Sequence, residues 1–174
     1  MIEGEALHSC QWHADGRPEA APAIIAFLGT IGIPVVAGPV AADSLIPGLA
    51  VRDGMIVVDP ATPVWPGDLL HEAGHLALTD PVLRSSLSAV SDDPGEEMAA
   101  IAWSWAAAAH LGLAAEVVFH AQGYRGGAAS LAAGYRAGGT VGAPILAMYG
   151  MTAEPHRAAE QGIAAYPVME RWLR

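Results

Sequence analysis

The chain has 174 residues, of which 53% are hydrophobic and 15% charged, so it carries enough apolar material for a core and lacks the composition of a disordered protein. Its length predicts a single domain, and its formal net charge of -10 disfavours nucleic acid as a partner, because phosphate backbones are bound by basic surfaces. Cys10 is the only cysteine, which excludes a disulfide framework within the chain.

Neither an export signal nor a membrane span is predicted. The first ten residues contain two glutamates and no basic residue, whereas a secretory signal begins with positive charge and continues as an apolar run. Two uncharged stretches, residues 20–42 and 98–115, are interrupted by proline and glycine or by polar residues, which disfavours a spanning helix. We therefore expect a cytoplasmic protein without a membrane partner.

The N-terminal part of the chain predicts an arm, a helix and a strand, in that order. Residues 1–17 show no periodicity and are expected to form an irregular arm. Residues 18–28 place apolar side chains on one helical face, and Gly29 is expected to end that helix. Residues 33–37 are apolar and rich in β-branched side chains, which favours a buried strand.

A β-hairpin is the clearest local signal in the sequence. Residues 49–52 and 55–59 are apolar segments separated by Asp53 and Gly54. An Asp-Gly pair readily adopts the two positive φ angles that a type I′ turn requires. We therefore predict two antiparallel strands joined by this turn.

After the hairpin, three prolines end the sheet and the rest of the chain is predicted to be almost entirely helical. Asp68 is expected to cap the first helix. The predicted helices cover residues 68–78, 95–111, 113–121, 127–136, 142–149, 153–164 and 167–173. These elements predict an α+β fold, with a small antiparallel or mixed sheet near the N-terminus packed on a mainly helical domain. One domain over residues 1–174 is expected, with its core in residues 33–111 and a helical C-terminal part in residues 112–174.

The chemistry is concentrated in His71-Glu72-Ala73-Gly74-His75. Residues four apart lie on the same helical face, so both imidazoles can reach one metal ion. Zinc is well matched to neutral imidazole ligands. Glu72 is offset from that face by one residue, where its carboxylate can take a proton from a zinc-bound water. This pattern predicts His71 and His75 as zinc ligands and Glu72 as the general base.

A catalytic zinc site needs a third protein ligand, and the helix predicted after residue 94 supplies two candidates. Glu97 shares a helical face with Ile101 and Ser104, side chains compatible with packing against the motif helix. Glu96 shares a different helical face, with Ala100 and Trp103. We predict Glu97 as the third ligand, with Glu96 as the alternative.

These residues resemble a minimal gluzincin, and the chain is most similar to the ImmA/IrrE family of metallopeptidases. In that family an Ile-Val-Val-Asp-like strand precedes the His-Glu-x-x-His helix, and a later helix begins with a glutamate ligand. Residues 56–59, the motif, and Glu97 with Ile101 match that order. One departure concerns Ile101, because thermolysin-like gluzincins have an aspartate at that position to orient a ligand histidine. A different orienting group is therefore expected here.

The resemblance implies a zincin-like fold and zinc-dependent hydrolysis of peptide bonds in a peptide or protein substrate. It also implies that the strand at residues 56–59 binds the substrate if it lies at the sheet edge. A donor to the developing oxyanion is expected from a histidine or tyrosine. The candidates are His110, His120, Tyr124, Tyr135, Tyr149 and His156.

Two alternatives stay open at the level of the sequence. The first is a zinc-binding regulatory or interaction module, derived from a peptidase and without turnover, which predicts a fourth protein ligand such as His120. The second is a hydrolase of the deformylase type, whose third ligand is a cysteine upstream of the motif. Cys10 stands in a His-Ser-Cys-Gln-Trp segment without the neighbours that such a ligand has, which disfavours this reading.

Overall fold

A computed structural model describes residues 7–174, and within them the chain forms three strands and eight α-helices. The elements are α1 (Ala21–Thr30), β1 (Val35–Ala37), β2 (Leu49–Arg52), β3 (Met55–Val58), α2 (Pro66–Leu78), α3 (Pro81–Arg84), α4 (Pro94–His110), α5 (Ala115–Val118), α6 (Ala128–Arg136), α7 (Ala143–Met148) and α8 (Pro155–Gln161). The predicted α+β class is confirmed. Among the helices of this part of the chain, none has the length and apolar character that crossing a membrane requires.

The three strands form one mixed sheet in the order β1-β3-β2. β1 pairs with β3 in parallel, and β2 pairs with β3 in antiparallel register. Asp53 and Gly54 have φ angles of 49° and 73°, so the predicted Asp-Gly hairpin is confirmed. β3 is the central strand, however, and both of its edges are already paired. The sheet edges belong to β1 and β2, so the condition under which residues 56–59 were expected to bind substrate is not met.

Two helices, α2 and α4, form the centre of the molecule and face each other over much of their length. A Cβ atom added to Gly74 on α2 would lie 2.8 Å from the carbonyl oxygen of Ala100 on α4. The absence of a side chain at Gly74 thus permits the two backbones to approach closely. Small residues on the facing side of α4, including Ala100, are fully buried. This approach brings the first turn of α4 to the histidines of α2.

We predict that Gly74→Ala lowers the free energy of unfolding by about 1–3 kcal/mol, because the added methyl group forces the two helices apart. The matched control is Gly134→Ala on α6, where no atom lies within 4 Å of the added Cβ. The control is expected to gain up to about 1 kcal/mol from its better helix propensity. Urea unfolding measures both values, and equal stabilities of the two variants would contradict the close approach of α2 and α4.

One cluster of buried hydrophobic side chains joins α1, the sheet, α2, α4 and the C-terminal segment. Trp103 of α4 lies fully buried within it. Its indole Nε1–H donates to the carbonyl oxygen of Trp172 at 2.9 Å, and the two indole rings meet edge to face. The last residues of the chain are therefore part of the core that supports α2 and α4.

The predicted helix over residues 167–173 is absent, and the segment is irregular. Pro167 has no backbone N–H to donate. The N–H groups that follow bond outside the segment, with Glu170 donating to the carbonyl oxygen of Met151 and Arg174 donating to that of Ala77, both at 2.9 Å. Contacts with distant elements thus replace the local helical hydrogen bonds that the pattern predicted.

The other boundaries differ from prediction by smaller amounts. The predicted arm falls partly on residues 1–6, outside the described residues, and its remainder contains a 3₁₀ turn at Ala14–Gly16 and a bridge from Trp12 to Val64. α1 follows a 3₁₀ turn at Pro18–Ala20 and continues through Gly29. The helix predicted over residues 113–121 is reduced to α5, and the one over 153–164 to α8, which ends at Gly162 in a left-handed conformation.

Candidate metal centre

The motif helix presents two imidazole rings toward α4. α2 begins with Pro66 at its first position, where the missing N–H is tolerated. His71 and His75 then lie one turn apart, with ring centroids separated by 5.0 Å and ring planes at 85°. The His75 side chain is only 1% exposed. When two imidazoles lie this close together and are shielded from water, the nitrogens that face each other's side need a common polar partner.

Glu97, in the first turn of α4, provides that partner. Its Oε1 atom lies 3.4 Å from Nε2 of His71, and its Oε2 atom lies 3.2 Å from Nε2 of His75. One ligand atom from each of the three residues falls within 4.8 Å of the others. The structure therefore brings the three predicted ligands together as a group that could hold a metal ion.

Glu96 occupies a different place from Glu97, although the two are adjacent. Its Oε1 atom lies 3.3 Å from Nδ1 of His75, the nitrogen on the far side of the ring from Glu97. The start of α4 is fixed by Asp93, whose side-chain oxygen accepts the backbone N–H of Glu96 at 2.9 Å. Glu97 thus reaches the shared centre, whereas Glu96 contacts only the outer nitrogen of His75.

The charges of the group fit a cation. Hydrogen bonds from His71 and His75, of which the one from His71 contributes more, hold the pKa of Glu97 well below its usual range. Burial by itself would lower the pKa of His75, but its hydrogen bond to Glu97 and the charge of Glu72 outweigh this effect and raise that pKa. A carboxylate that faces two ring nitrogens favours positive charge beside it. A divalent metal ion satisfies the same three atoms without protonating either ring.

Glu72 lies beside this group and is 7% exposed. Burial raises its pKa, while the charges of His71 and His75 oppose that rise, and the raised value is the net result. Its side chain lines a cleft of about 950 Å³ together with His71, His75 and Glu97. The predicted base and the predicted ligands therefore face one common space.

One wall of the cleft is a stack of rings that the sequence did not predict. The Trp65 indole stacks with two imidazoles, and its centroid lies 4.3 Å from that of His120 and 4.6 Å from that of His13. Nε2 of His120 lies 2.9 Å from Oδ1 of Asp68. Asp68 was expected to cap α2 but is engaged with His120 instead, and Trp65 takes the cap position without a side-chain hydrogen bond. Asp68 and His120 are separated by 52 residues, so no local pattern predicts their contact.

A second wall is formed by the turn at Tyr124–Gly126. The Tyr124 ring meets the His71 ring edge to face, with centroids 5.7 Å apart. Burial raises the pKa of Tyr124 far above its ordinary value, and the neighbouring charges of Asp68 and Glu97 add to that effect. Tyr124 has a positive φ of 57°, an uncommon conformation for a side chain of this size. The ring of Tyr124 therefore restricts the rotation of His71.

The six candidates for the oxyanion donor divide by position. His120 and Tyr124 line the cleft, and the other four are not among its lining residues. The Tyr135 hydroxyl donates to the carbonyl oxygen of Val141, and His110 packs on Phe27 and Trp172. The list of candidates is thus reduced to two, and the role itself stays a prediction.

The non-catalytic module predicted a fourth protein ligand, and the deformylase-type hydrolase predicted a cysteine ligand. Residues 7–174 supply neither of these ligands. The group that could hold a metal consists of His71, His75 and Glu97 in this part of the chain, without Cys10 or His120. His120 uses its Nε2 atom for Asp68. A three-residue group leaves coordination positions for water and substrate, as catalytic zinc sites do.

The chain matches no protein-family model, no curated protein and no solved structure. The resemblance to the ImmA/IrrE gluzincins therefore stays a prediction from residues 56–59, the motif, and Glu97 with the residues that follow it. Fold alone does not define function, which depends on the chemistry of the site. The arrangement offers two nitrogen donors, a carboxylate donor, and a buried second carboxylate in a shared cleft.

Proposed function

We propose that this protein is a zinc-dependent hydrolase of peptide bonds, with His71, His75 and Glu97 as the zinc ligands and Glu72 as the general base. The observation that carries the proposal is the convergence of one atom from each ligand within 4.8 Å. The carboxylate of Glu72 lies beside them, on the same helix as the two histidines. Two nitrogen ligands and one carboxylate are a known set for catalytic zinc. The resemblance to minimal gluzincins supports the choice of a peptide bond as the target.

Each residue of the site has a defined task in this reaction. A bound zinc ion would supply a Lewis acid that polarises the scissile carbonyl and acidifies the attacking water. Glu72 accepts the proton of that water and delivers it to the leaving amine. Burial of Glu72 keeps its carboxylate out of bulk water, so the proton passes between neighbouring groups. Glu97 faces both Nε2 atoms from α4 and holds the two rings in one orientation.

The cleft also has surfaces on which a peptide can lie. Exposed Leu45, with Ile46 and Pro47, forms one apolar rim, and Val90 and Ile101 contribute apolar surface elsewhere. The His120–Asp68 pair and Tyr124 supply polar groups on the walls. A mainly apolar cleft with a few polar groups is typical of small-molecule and peptide sites.

The proposal is tested by removing and restoring the metal. The protein is stripped with a chelator and incubated with a mixture of unstructured peptides, and mass spectrometry detects the new termini. We expect no cleavage without metal and cleavage after one equivalent of Zn²⁺ is added. Stoichiometric zinc binding with no cleavage of any peptide would favour the non-catalytic module over the peptidase.

A further inference from the structure

The two histidines of the metal centre have different surroundings on their outer nitrogens. Nδ1 of His75 lies 3.3 Å from a carboxylate oxygen of Glu96. Nδ1 of His71 is buried and has no hydrogen-bond partner among the residues that the structure describes. His71 is instead confined by the Tyr124 ring, which lies edge to face against it. At the outer nitrogen, Nδ1, a carboxylate therefore contacts only one of the two imidazoles.

The sequence explains why Glu96, and not a residue further along α4, contacts the Nδ1 atom of His75. The position four residues after Glu97 is Ile101, which has no hydrogen-bonding group and lines the cleft. Consecutive residues of a helix point about 100° apart, so Glu96 and Glu97 can reach opposite sides of one ring. They do so at His75, where Glu96 faces Nδ1 and Glu97 faces Nε2.

We infer that Glu96 is the positioning residue of this centre and substitutes for the orienting acid that Ile101 cannot provide. The inference rests on the proposed metal site. When zinc is bound, the lone pair of the His75 Nε2 atom is used by the ion, and the ring proton has to lie on Nδ1. Glu96 only accepts hydrogen bonds, so it stabilises that proton on Nδ1. The same contact raises the basicity of the ring as a ligand.

The start of α4 holds Glu96 in place for this task. Asp93 accepts the Glu96 backbone N–H through its side chain, and its carbonyl oxygen accepts that of Glu97 at 3.0 Å. The Glu96 side chain is 33% exposed and lines a second groove, next to Tyr149 and Arg174. Glu96→Gln therefore keeps the shape of the side chain and leaves no buried void.

The test compares the zinc dissociation constants of the parent, Glu96→Gln and Glu160→Gln, measured by competition with a chromophoric chelator. Glu160 is exposed on α8 and does not line the cleft, so its variant makes the same chemical change away from the ligands. We expect Glu96→Gln to bind zinc about 10–100-fold more weakly, and Glu160→Gln to stay within about twofold of the parent. The melting temperatures of the three metal-free proteins should agree, which excludes a folding defect.

A second readout examines the ring directly. In the zinc-loaded parent, NMR of ¹⁵N-labelled histidine should show a slowly exchanging Nδ1–H for His75, and Glu96→Ala should lose that protection. Equal zinc affinity in the parent and Glu96→Gln, or an equal loss in Glu160→Gln, would overturn the inference. Zinc binding without peptide cleavage would reject the proposed function and leave this inference standing. A parent that binds no zinc would reject both.

Discussion

Glu72→Gln is expected to retain zinc and to lower kcat for peptide cleavage by at least about a hundredfold, because a general base contributes about 10²–10⁴-fold to the rate. Glutamine has almost the same shape as glutamate but cannot accept the proton of the attacking water. Glu72 is 7% exposed and does not belong to the group of ligands. Metal content and cleavage rate, measured on the same preparation, separate the loss of the base from the loss of the metal.

The control for this variant is Glu160→Gln. Glu160 lies exposed on α8, so the substitution makes the same chemical change away from the cleft. Zinc content and cleavage rate of Glu160→Gln should equal those of the parent. If Glu72→Gln cleaved peptides as fast as the parent, Glu72 would not be the base.

His75→Ala is expected to lose the metal. The substitution removes one of the two nitrogen donors, and it also leaves Glu97 and Glu96 with no ring between them. The remaining donors, His71 and Glu97, form a two-residue site, which is one ligand short of the usual number in a catalytic zinc protein. Metal analysis after dialysis against metal-free buffer measures the result, and less than a tenth of an equivalent of zinc is expected.

His156→Ala is the matched control, because His156 lies exposed on α8. It should carry as much zinc as the parent. Its result excludes adventitious binding of zinc to surface histidines as the source of the signal. Equal zinc in His75→Ala and the parent would refute the assignment of the ligands.

The group that could hold a metal ion could be predicted from the sequence because the spacing of its two histidines is local. His71 and His75 are four residues apart, and the 3.6-residue period of a helix places them on one face without further information. Glu97 followed from the need for a third ligand and from the small and apolar residues beyond it on α4. The structure brings these three residues together as predicted. The α+β class followed in the same way from the Asp-Gly hairpin and the long helical remainder.

The features that escaped prediction depend on contacts between distant residues. Asp68 satisfies a local rule for a helix cap, yet its carboxylate is used by His120. The final segment has the composition of a helix, but Pro167 and contacts with Met151 and Ala77 determine its path. Local propensity is a weak signal wherever such tertiary contacts compete with it.

The choice between Glu96 and Glu97 shows the same limit on a smaller scale. Helical periodicity separates their directions by about 100° but does not fix the rotation of α4 relative to α2. That rotation is set by the approach at Gly74 and Ala100, which only the structure reveals. Both residues then contact His75, each at a different nitrogen. The sequence could identify the pair but not the division of tasks within it.

The claim that His71, His75 and Glu97 share one metal ion is tested most directly by diffraction from crystals of the zinc-loaded protein, recorded on both sides of the zinc absorption edge. We predict a single anomalous peak between the three side chains, about 2.0–2.1 Å from Nε2 of each histidine. A peak elsewhere, or full zinc content with no peak between these residues, would show that they do not share the ion.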